Sequence, residues 1–156
     1  MPCYNAAGTV GAAIESIQAQ TRRDWECIIV DDGSTDTSRA LVGSYAAHDR
    51  RIRAIALPHG GILRALQAGC ALAQAPLLAR MDADDVAMPE RLGKQAEYMR
   101  EHPETALCGT HVRMIGTELG EGRLRYQEWL NGLRNHEDIM RELFIECPLA
   151  HPTFML

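Results

Sequence analysis

The apolar positions of the chain follow two different periods, which predicts alternating helices and strands. Val10, Ile14 and Ile17 recur at the spacing of one helix face, whereas 25–30 (WECIIV) is a continuous apolar run rich in β-branched residues. Such a run is typical of a strand that is buried on both faces of a parallel sheet. The pattern predicts helices over 9–20, from 37 to about 48, from 62 to about 73, 89–101 and 135–144, and strands over 25–30, 52–57, 77–81 and, as one or two strands, 106–115.

Strands that alternate with helices indicate an α/β fold, in which right-handed crossovers place helices against a mostly parallel sheet. No linker, repeat or low-complexity tract interrupts 1–156, so we predict a single domain, although 116–135 is polar and follows neither period. Ligands of such sheets bind beyond the carboxyl ends of the strands. Two acidic clusters, 31–36 and 82–85, follow predicted strands at that end and are the first candidates for chemistry.

Composition narrows the classes of protein to consider. Hydrophobic residues make up 46% and charged residues 24% of the 156 residues, which is typical of a globular protein. The formal net charge of -5 argues against a nucleic-acid partner, which calls for a basic face. No apolar run approaches the ~18 residues of a membrane helix, and 1–5 (MPCYN) does not resemble a secretory signal. The five cysteines form no CxxC, which predicts small buried thiols rather than disulfides or a zinc site.

The cluster 82–85 (DADD) has the chemistry of a metal site. Alternate residues of a turn can point to one side, so Asp82 and Asp84 can converge, and converging carboxylates repel unless a cation neutralises them. Hard oxygen ligands suit Mg²⁺ or Mn²⁺, which bind through one or two carboxylates together with substrate phosphates. The motif therefore predicts a metal–diphosphate site, but taken alone it also fits a solvated acidic turn with an aspartate as helix cap.

The cluster 31–34 (DDGS) has the chemistry of a nucleoside site. Asp31 and Asp32 can accept hydrogen bonds from a nucleobase or a ribose, and Gly33 lets the backbone turn at positive φ. Taken alone, the segment also fits a turn in which Asp36 or Thr37 caps the next helix. Because both acidic clusters end buried strands of one small domain, a functional role becomes the better interpretation.

Other candidates have an ordinary structural interpretation beside the functional one. Gly60 and Gly61 precede a helix whose N-terminus could receive phosphate, and Arg64 and Arg80 could contact that phosphate. His151 could contact a metal or a substrate. Each of these residues also fits a loop, a solvated arginine or a structural histidine.

Several segments together resemble the family 2 glycosyltransferases of the GT-A fold, over essentially the whole chain. Residues 2–6 (PCYNA) are similar to the family's PxYNA segment, and 26–36 (ECIIVDDGSTD) to its central signature. Residues 79–85 (ARMDADD), followed by 89–91 (PER), are similar to its DxD strand and next helix. The resemblance implies transfer of a sugar from a nucleotide-diphospho-sugar, most often a UDP-sugar, with inversion at the anomeric carbon.

The resemblance also implies roles for particular residues at the nucleotide. Pro2 and Tyr4 would line the base pocket, with Asn5 beside them in the same segment. Asp31 and Asp32 would lie at the uracil and the ribose.

At the diphosphate, the resemblance implies a divalent metal, Mg²⁺ or Mn²⁺. Asp84 would be its ligand together with Asp82, which would also meet the ribose or the donor sugar. A metal there acts as a Lewis acid on the diphosphate leaving group. Arg64 is the nearby phosphate contact that we include in the site.

The chain also departs from the family. Most of the apolar strand that usually precedes PxYN is missing, and the acceptor-binding half and the catalytic carboxylate base are expected beyond Leu156. We therefore expect a domain truncated at both ends, which binds UDP with Mn²⁺ and transfers sugar slowly or not at all. The missing strand leaves a pairing edge, which favours a homo-oligomer. His59 stands where the family often carries Asn.

The acceptor implied by the resemblance is a glycan or a lipid-linked molecule, and the implied location is cytoplasmic with peripheral membrane association. Two alternatives stay open. One is a non-catalytic module that binds nucleotide sugars and lacks only the base. The other is a receiver-like signalling domain that gathers carboxylates around Mg²⁺, although Lys94 does not follow a last strand, as that class requires.

Overall fold

A computed structural model describes residues 1–116 and 119–156. Its sheet has three parallel strands in the order β1-β2-β3, with Pro2 paired to Val30 and Cys27 paired to Ile52. The strands are β1 (Pro2–Cys3), β2 (Cys27–Asp31) and β3 (Ile52–Ala56), and the helices are α1 (Val10–Gln18), α2 (Ser38–His48), α3 (Ile62–Leu72), α4 (Arg91–Glu101), α5 (Glu121–Gly132) and α6 (His136–Glu142), followed by a 3-10 turn (His151–Thr153). The α/β prediction is confirmed.

Strand β2 is buried on both faces, as the run WECIIV predicts. Ile29 packs with Val10 of α1 and Val42 of α2, whereas Val30 packs with Ala65 of α3 on the opposite face. The side chains of a strand alternate between its two faces, so a strand covered by helices on both sides is apolar at every position. This central position of β2 holds Asp31, its last residue, in a fixed place at the carboxyl end of the sheet.

The predicted strand over 77–81 is wrong in its pairing. This segment does not join the parallel sheet in the described part of the chain; Ala79 forms an isolated antiparallel bridge with Met155 instead. Leu78 N–H donates to Leu156 C=O at 2.8 Å, and Arg80 N–H donates to Phe154 C=O at 2.8 Å. The partner lies more than seventy positions along the chain, so local periodicity contains no information about it.

The predicted strand over 106–115 is also wrong. Among the residues that the structure describes, Cys108 alone of this segment pairs, in a second antiparallel bridge to Met155. In the polar segment 116–135, the structure instead has α5, which buries Leu130 alone and whose Glu121–Arg125 pair spans one helical turn. Residues 117 and 118 lie outside the described residues. Helix α6 begins as predicted, because the Asn135 side chain accepts from Asp138 N–H at 2.9 Å.

An apolar groove of about 630 Å³ lies between α3 and the segment 77–80. Ile28, Ala65, Gly69 and Leu78 are among the residues that line it. Strand β1 pairs with Val30 and Asp31 only, so the earlier part of β2 borders this groove.

The five cysteines are all free thiols. Cys3 is buried, as predicted, but Cys70 is exposed and the other three are half-buried. Among the helices of the described residues, none is both long and apolar enough to cross a membrane.

Candidate functional site

The loops that follow the strands meet at one cavity of about 590 Å³ at the carboxyl edge of the sheet. Parallel strands end at the same edge, which explains why the loops after β1, β2 and β3 converge there. Residues 82–84 reach the cavity from the segment 77–80, which pairs with 154–156 instead of with the parallel sheet. The lining residues are Pro2, Cys3, Tyr4, Asn5, Ala6, Thr9, Asp32, His59, Gly61, Ile62, Ala65, Asp82, Ala83 and Asp84. Both acidic clusters therefore contribute to a single cavity.

Asn5 connects the loop after β1 to the loop after β2. Its φ of +48° lies in the left-handed region, which asparagine tolerates better than most residues. The Asn5 side-chain oxygen accepts from Thr35 N–H at 2.8 Å, and Asn5 N–H donates to the Ser34 hydroxyl oxygen at 3.0 Å. The Asn5 side chain and backbone N–H thus hold the loops after β1 and β2 together.

Asp32 holds the loop that follows β3. Its carboxylate accepts from Gly60 N–H at 2.9 Å and from Gly61 N–H at 2.8 Å, and His59 Nδ1 lies 2.9 Å from Oδ2. Burial disfavours the charged form, but the two amide hydrogen bonds and His59 outweigh it and lower the pKa of Asp32. Three donors occupy the Asp32 carboxylate, so its visible role is to anchor residues 59–61.

Asp31 has the opposite surroundings. Its side chain is buried, with the residue only 2% exposed, and Oδ1 accepts one long hydrogen bond of 3.4 Å from Ser34 N–H. Within residues 1–116 and 119–156, the structure gives the buried Oδ2 atom no hydrogen-bond partner. Buried carboxylate oxygens are nearly always paired, so this atom calls for a donor that the described residues do not supply.

Gly33 fixes the distance between the loops after β2 and β3. Its φ of +74° is accessible to glycine, and a Cβ at this position would lie 2.6 Å from the backbone nitrogen of His59. The two backbones therefore approach more closely than a residue with a side chain allows. This contact places His59 over the cavity.

His59 stacks on Tyr4 at the cavity. The ring centroids lie 4.3 Å apart with an interplanar angle of 23°, and both side chains are about half exposed. Sequence reasoning noted His59 only as a departure from the family and assigned it no role. Its position opposite Tyr4 depends on the contact between Gly33 and the residue 59 backbone, which no local pattern reveals.

The second acidic cluster presents one paired and one unpaired carboxylate. Asp82 is paired with Arg80, whose Nε and Nη2 atoms lie 3.3 Å from the two carboxylate oxygens. Asp84 is exposed, and in the described part of the chain its carboxylate takes part in no hydrogen bond or ion pair. Burial, together with the neighbouring Asp84 and Asp82 carboxylates, raises the pKa of Asp85. This concentration of negative charge favours a bound cation.

The protein offers few ligands for a metal at this point. Among the described residues, no group of three or more histidines, cysteines or carboxylates could hold a metal ion. Asp82 and Asp84 fit a Mg²⁺ or Mn²⁺ ion that takes its remaining ligands from phosphate and water, which is the usual arrangement for Mg²⁺. Arg91 supports the cluster, because its Nη2 donates to the Arg80 carbonyl at 2.7 Å.

Two sequence candidates lie elsewhere. Arg64 is exposed, lies outside the set of described residues that line the cavity, and extends its side chain towards the Gly60 backbone. Lys94 pairs with the exposed Glu90 at 2.6 Å and is not among the described residues that line the cavity. The receiver-like alternative therefore lacks a lysine beside the carboxylates of Asp82 and Asp84. Pro2, Tyr4, Asn5, Asp32, Asp82 and Asp84 line the cavity, and Asp31 lies buried at the end of β2.

Comparison with known proteins agrees with this architecture. WbnJ, an O-antigen biosynthesis glycosyltransferase of Escherichia coli, is 34% identical over 149 residues, which cover 94% of this chain and 55% of WbnJ. The crystal structure of Staphylococcus aureus TarS 1-349 in complex with UDP-GlcNAc has a TM-score of 0.63 at 22% identity, covering 74% of this chain and 35% of TarS 1-349.

The mannosyltransferase PcManGT of Pyrobaculum calidifontis, in complex with GDP-Man and Mn²⁺, has a TM-score of 0.58 at 23% identity and covers 63% of this chain and 30% of that protein. The chain thus spans about half the length of WbnJ and a third of the solved structures. The family model for glycosyl transferase family 2 matches residues 1–156. This match over the full chain, on a sheet of the GT-A type, shows that the chain belongs to glycosyltransferase family 2.

Proposed function

We propose that the cavity binds a nucleotide-diphospho-sugar, with UDP as the nucleotide and Mg²⁺ or Mn²⁺ at the diphosphate. One observation carries the proposal: Tyr4, Asp32 and the Asp82–Asp84 pair, from three separate segments, line the same cavity. A half-exposed aromatic ring, Tyr4, and an unpaired carboxylate, Asp84, match the two ends of a nucleoside diphosphate that carries a divalent cation.

The nucleoside end rests on Tyr4 and Asp31. Tyr4 is 47% exposed and offers a ring on which a base can stack. The unpaired Asp31 Oδ2 atom requires a hydrogen-bond donor, and an N–H group of a pyrimidine or a ribose hydroxyl would supply one. Pro2 completes this end of the cavity.

The diphosphate end rests on Asp84 and Asp82. Asp84 is exposed and its carboxylate is the better placed to bind a metal, whereas Arg80 holds the Asp82 carboxylate in position. A bound divalent ion supplies Lewis-acid stabilisation of the diphosphate leaving group. A protein of the same fold, PcManGT, was solved in complex with GDP-Man and Mn²⁺, which supports a divalent metal beside the nucleotide sugar.

For the whole enzyme we propose inverting transfer of the sugar to a glycan or a lipid-linked acceptor, at the cytoplasmic side of a membrane. WbnJ acts in O-antigen biosynthesis, and TarS binds UDP-GlcNAc, which supports this substrate class. Inversion requires a base that removes the acceptor proton, and we place it beyond Leu156. This chain then holds the donor and contributes the leaving-group side of the reaction.

Calorimetric titration tests the proposal. UDP, UDP-sugars and GDP are titrated into the protein with and without Mn²⁺, and then into Asp84→Ala and Asp31→Asn. We expect UDP to bind more tightly with Mn²⁺, and Asp84→Ala to remove that gain, a change of roughly tenfold or more in Kd. Asp31→Asn should weaken binding with or without Mn²⁺, because it changes the carboxylate whose unpaired oxygen would accept a hydrogen bond from the nucleoside.

The matched control is Asp24→Ala, which removes an exposed carboxylate paired with Arg22 away from the cavity and should leave the Kd unchanged. Metal-independent binding that survives Asp84→Ala would contradict the role of Asp84. Failure to bind any of the nucleotides would contradict the proposed function itself. Fast sugar transfer by this chain alone would contradict a base beyond Leu156.

A further inference from the structure

We infer that the His59 imidazole covers the base-binding face of Tyr4 in the free protein, and that nucleotide binding displaces it. His59 would then set the affinity for the donor by competing with the base for one aromatic surface. The inference rests on the proposed function and adds to it a residue that controls access.

The two rings leave no space for a base between them. Their centroids lie 4.3 Å apart, which is the separation of a direct aromatic contact. Both rings line the same cavity as Asp32 and Asp84, so the imidazole occupies one face of the Tyr4 ring at the place where we propose that the base binds. A base that stacks on that face must therefore move the imidazole.

The surroundings of His59 fix its backbone and leave its ring able to turn. Gly60 and Gly61 N–H both donate to the Asp32 carboxylate, and the His59 nitrogen lies against Gly33. The imidazole itself is held by the stack and by Nδ1, which lies 2.9 Å from Asp32 Oδ2 and 3.0 Å from the Asp32 backbone carbonyl oxygen.

Rotation of the His59 side chain gives up the stack on Tyr4 and the two Nδ1 contacts to Asp32. The two amide hydrogen bonds to Asp32 remain, so the loop keeps its shape while the ring leaves. Displacement therefore requires little free energy compared with unfolding of the loop. This small free energy of displacement reduces the affinity for the nucleotide without preventing binding.

The test compares the UDP affinity, with Mn²⁺ present, of the wild-type protein and of His59→Ala. Removal of the competing ring should tighten binding about two- to tenfold, which corresponds to one aromatic pair. The control is His102→Ala, since His102 forms a similar pair with Tyr98 at 4.4 Å and 33° away from the cavity. It should leave the UDP affinity unchanged.

A double variant identifies the surface for which the ring competes. In a Tyr4→Ala background UDP should bind more weakly, and His59→Ala should give no further gain. Weaker or unchanged binding by His59→Ala in the wild-type background overturns the inference, because the imidazole would then contact the nucleotide or play no part.

Nuclear magnetic resonance of the wild-type protein provides a reading that does not depend on a variant. The His59 ring protons should carry the ring-current shift of Tyr4 in the free protein and lose it at saturating UDP, while the His102 signals stay in place. Retention of the His59 shift at saturation overturns the inference. Absence of nucleotide binding by the wild-type protein is distinct, since it overturns the proposed function.

Discussion

Substitution of Gly33 by alanine should destabilise the protein and damage the site, whereas the same substitution at Gly69 should stabilise it. At Gly33 the φ of +74° is unfavourable for alanine, and the new Cβ would lie 2.6 Å from the His59 backbone nitrogen. The left-handed conformation costs about 1–2 kcal/mol. The clash is with backbone, so relief requires movement of the loop 59–61, and the total reaches about 2–4 kcal/mol.

Gly69 is the matched control because it lies in the interior of α3, where alanine is the better helix former. Its Cβ would lie 3.5 Å from Val30 Cγ2, an ordinary van der Waals contact. Gly69→Ala should therefore raise the free energy of unfolding by about 0.5–1 kcal/mol. Both variants add one methyl group. At Gly33 the surrounding backbone has no space for it, whereas at Gly69 the helix accepts it without a clash.

Urea denaturation and thermal melting measure both changes. For a domain of this size 1 kcal/mol moves Tm by about 2–4 °C, so Gly33→Ala should lower Tm by roughly 4–16 °C. Gly33→Ala should also weaken UDP binding, since it pushes the loop 59–61 away from the Asp32 anchor and so changes the shape of the cavity, whereas Gly69→Ala should not. A Gly33→Ala protein as stable as the wild type would refute the close approach of the two loops.

Two further predictions concern the scaffold. Hydrogen bonds from Arg51, despite the cost of burial, hold the pKa of Asp49 well below its ordinary value, so this carboxylate contributes stability above about pH 4 that is lost as the pH falls towards the lowered pKa. Asp49→Asn should lower the urea midpoint at pH 7 and have a smaller effect at pH 2.5, where Asp49 of the unfolded chain is mostly protonated; an equal effect at both values would contradict the ion pair. Gln20 is fully buried and bonds Met88 C=O at 2.8 Å and Leu92 N–H at 2.9 Å. Gln20→Ala should cost about 3 kcal/mol in urea denaturation, since it leaves buried backbone groups unpaired; a change below 1 kcal/mol would show that water replaces the amide.

Sequence predicted the features of this fold that local pattern encodes. The run WECIIV specified a strand buried on both faces, and Asn135 with Asp138 specified the start of α6. The direction of parallel strands places the loops after β1, β2 and β3 at one edge, which requires no knowledge of side-chain contacts. The cluster 82–85 contributes to the same cavity, as expected, but the segment before it pairs antiparallel with Met155 and not with the parallel sheet. Each of these inferences uses residues that are close in sequence or a rule of sheet geometry.

The features that sequence did not predict depend on contacts between distant residues. The antiparallel pairing of 77–81 with 154–156 requires a partner at the other end of the chain. The position of His59 over Tyr4 requires the close approach of Gly33. Helix α5 buries a single residue, so its sequence lacks the apolar stripe by which a helix is recognised.

The pair Asp31–Asp32 shows why a motif cannot by itself assign roles to its residues. The two carboxylates are adjacent in sequence and both are buried, but successive side chains of an extended strand point in opposite directions. Asp32 turns to the loop after β3 and receives two amides and an imidazole, whereas Asp31 keeps a buried oxygen without a partner in the described residues. An unpaired buried oxygen destabilises the free protein, and a ligand that donates to it recovers that free energy on binding. By this argument Asp32 shapes the site, and Asp31 is the member of the pair whose carboxylate still requires a hydrogen-bond donor.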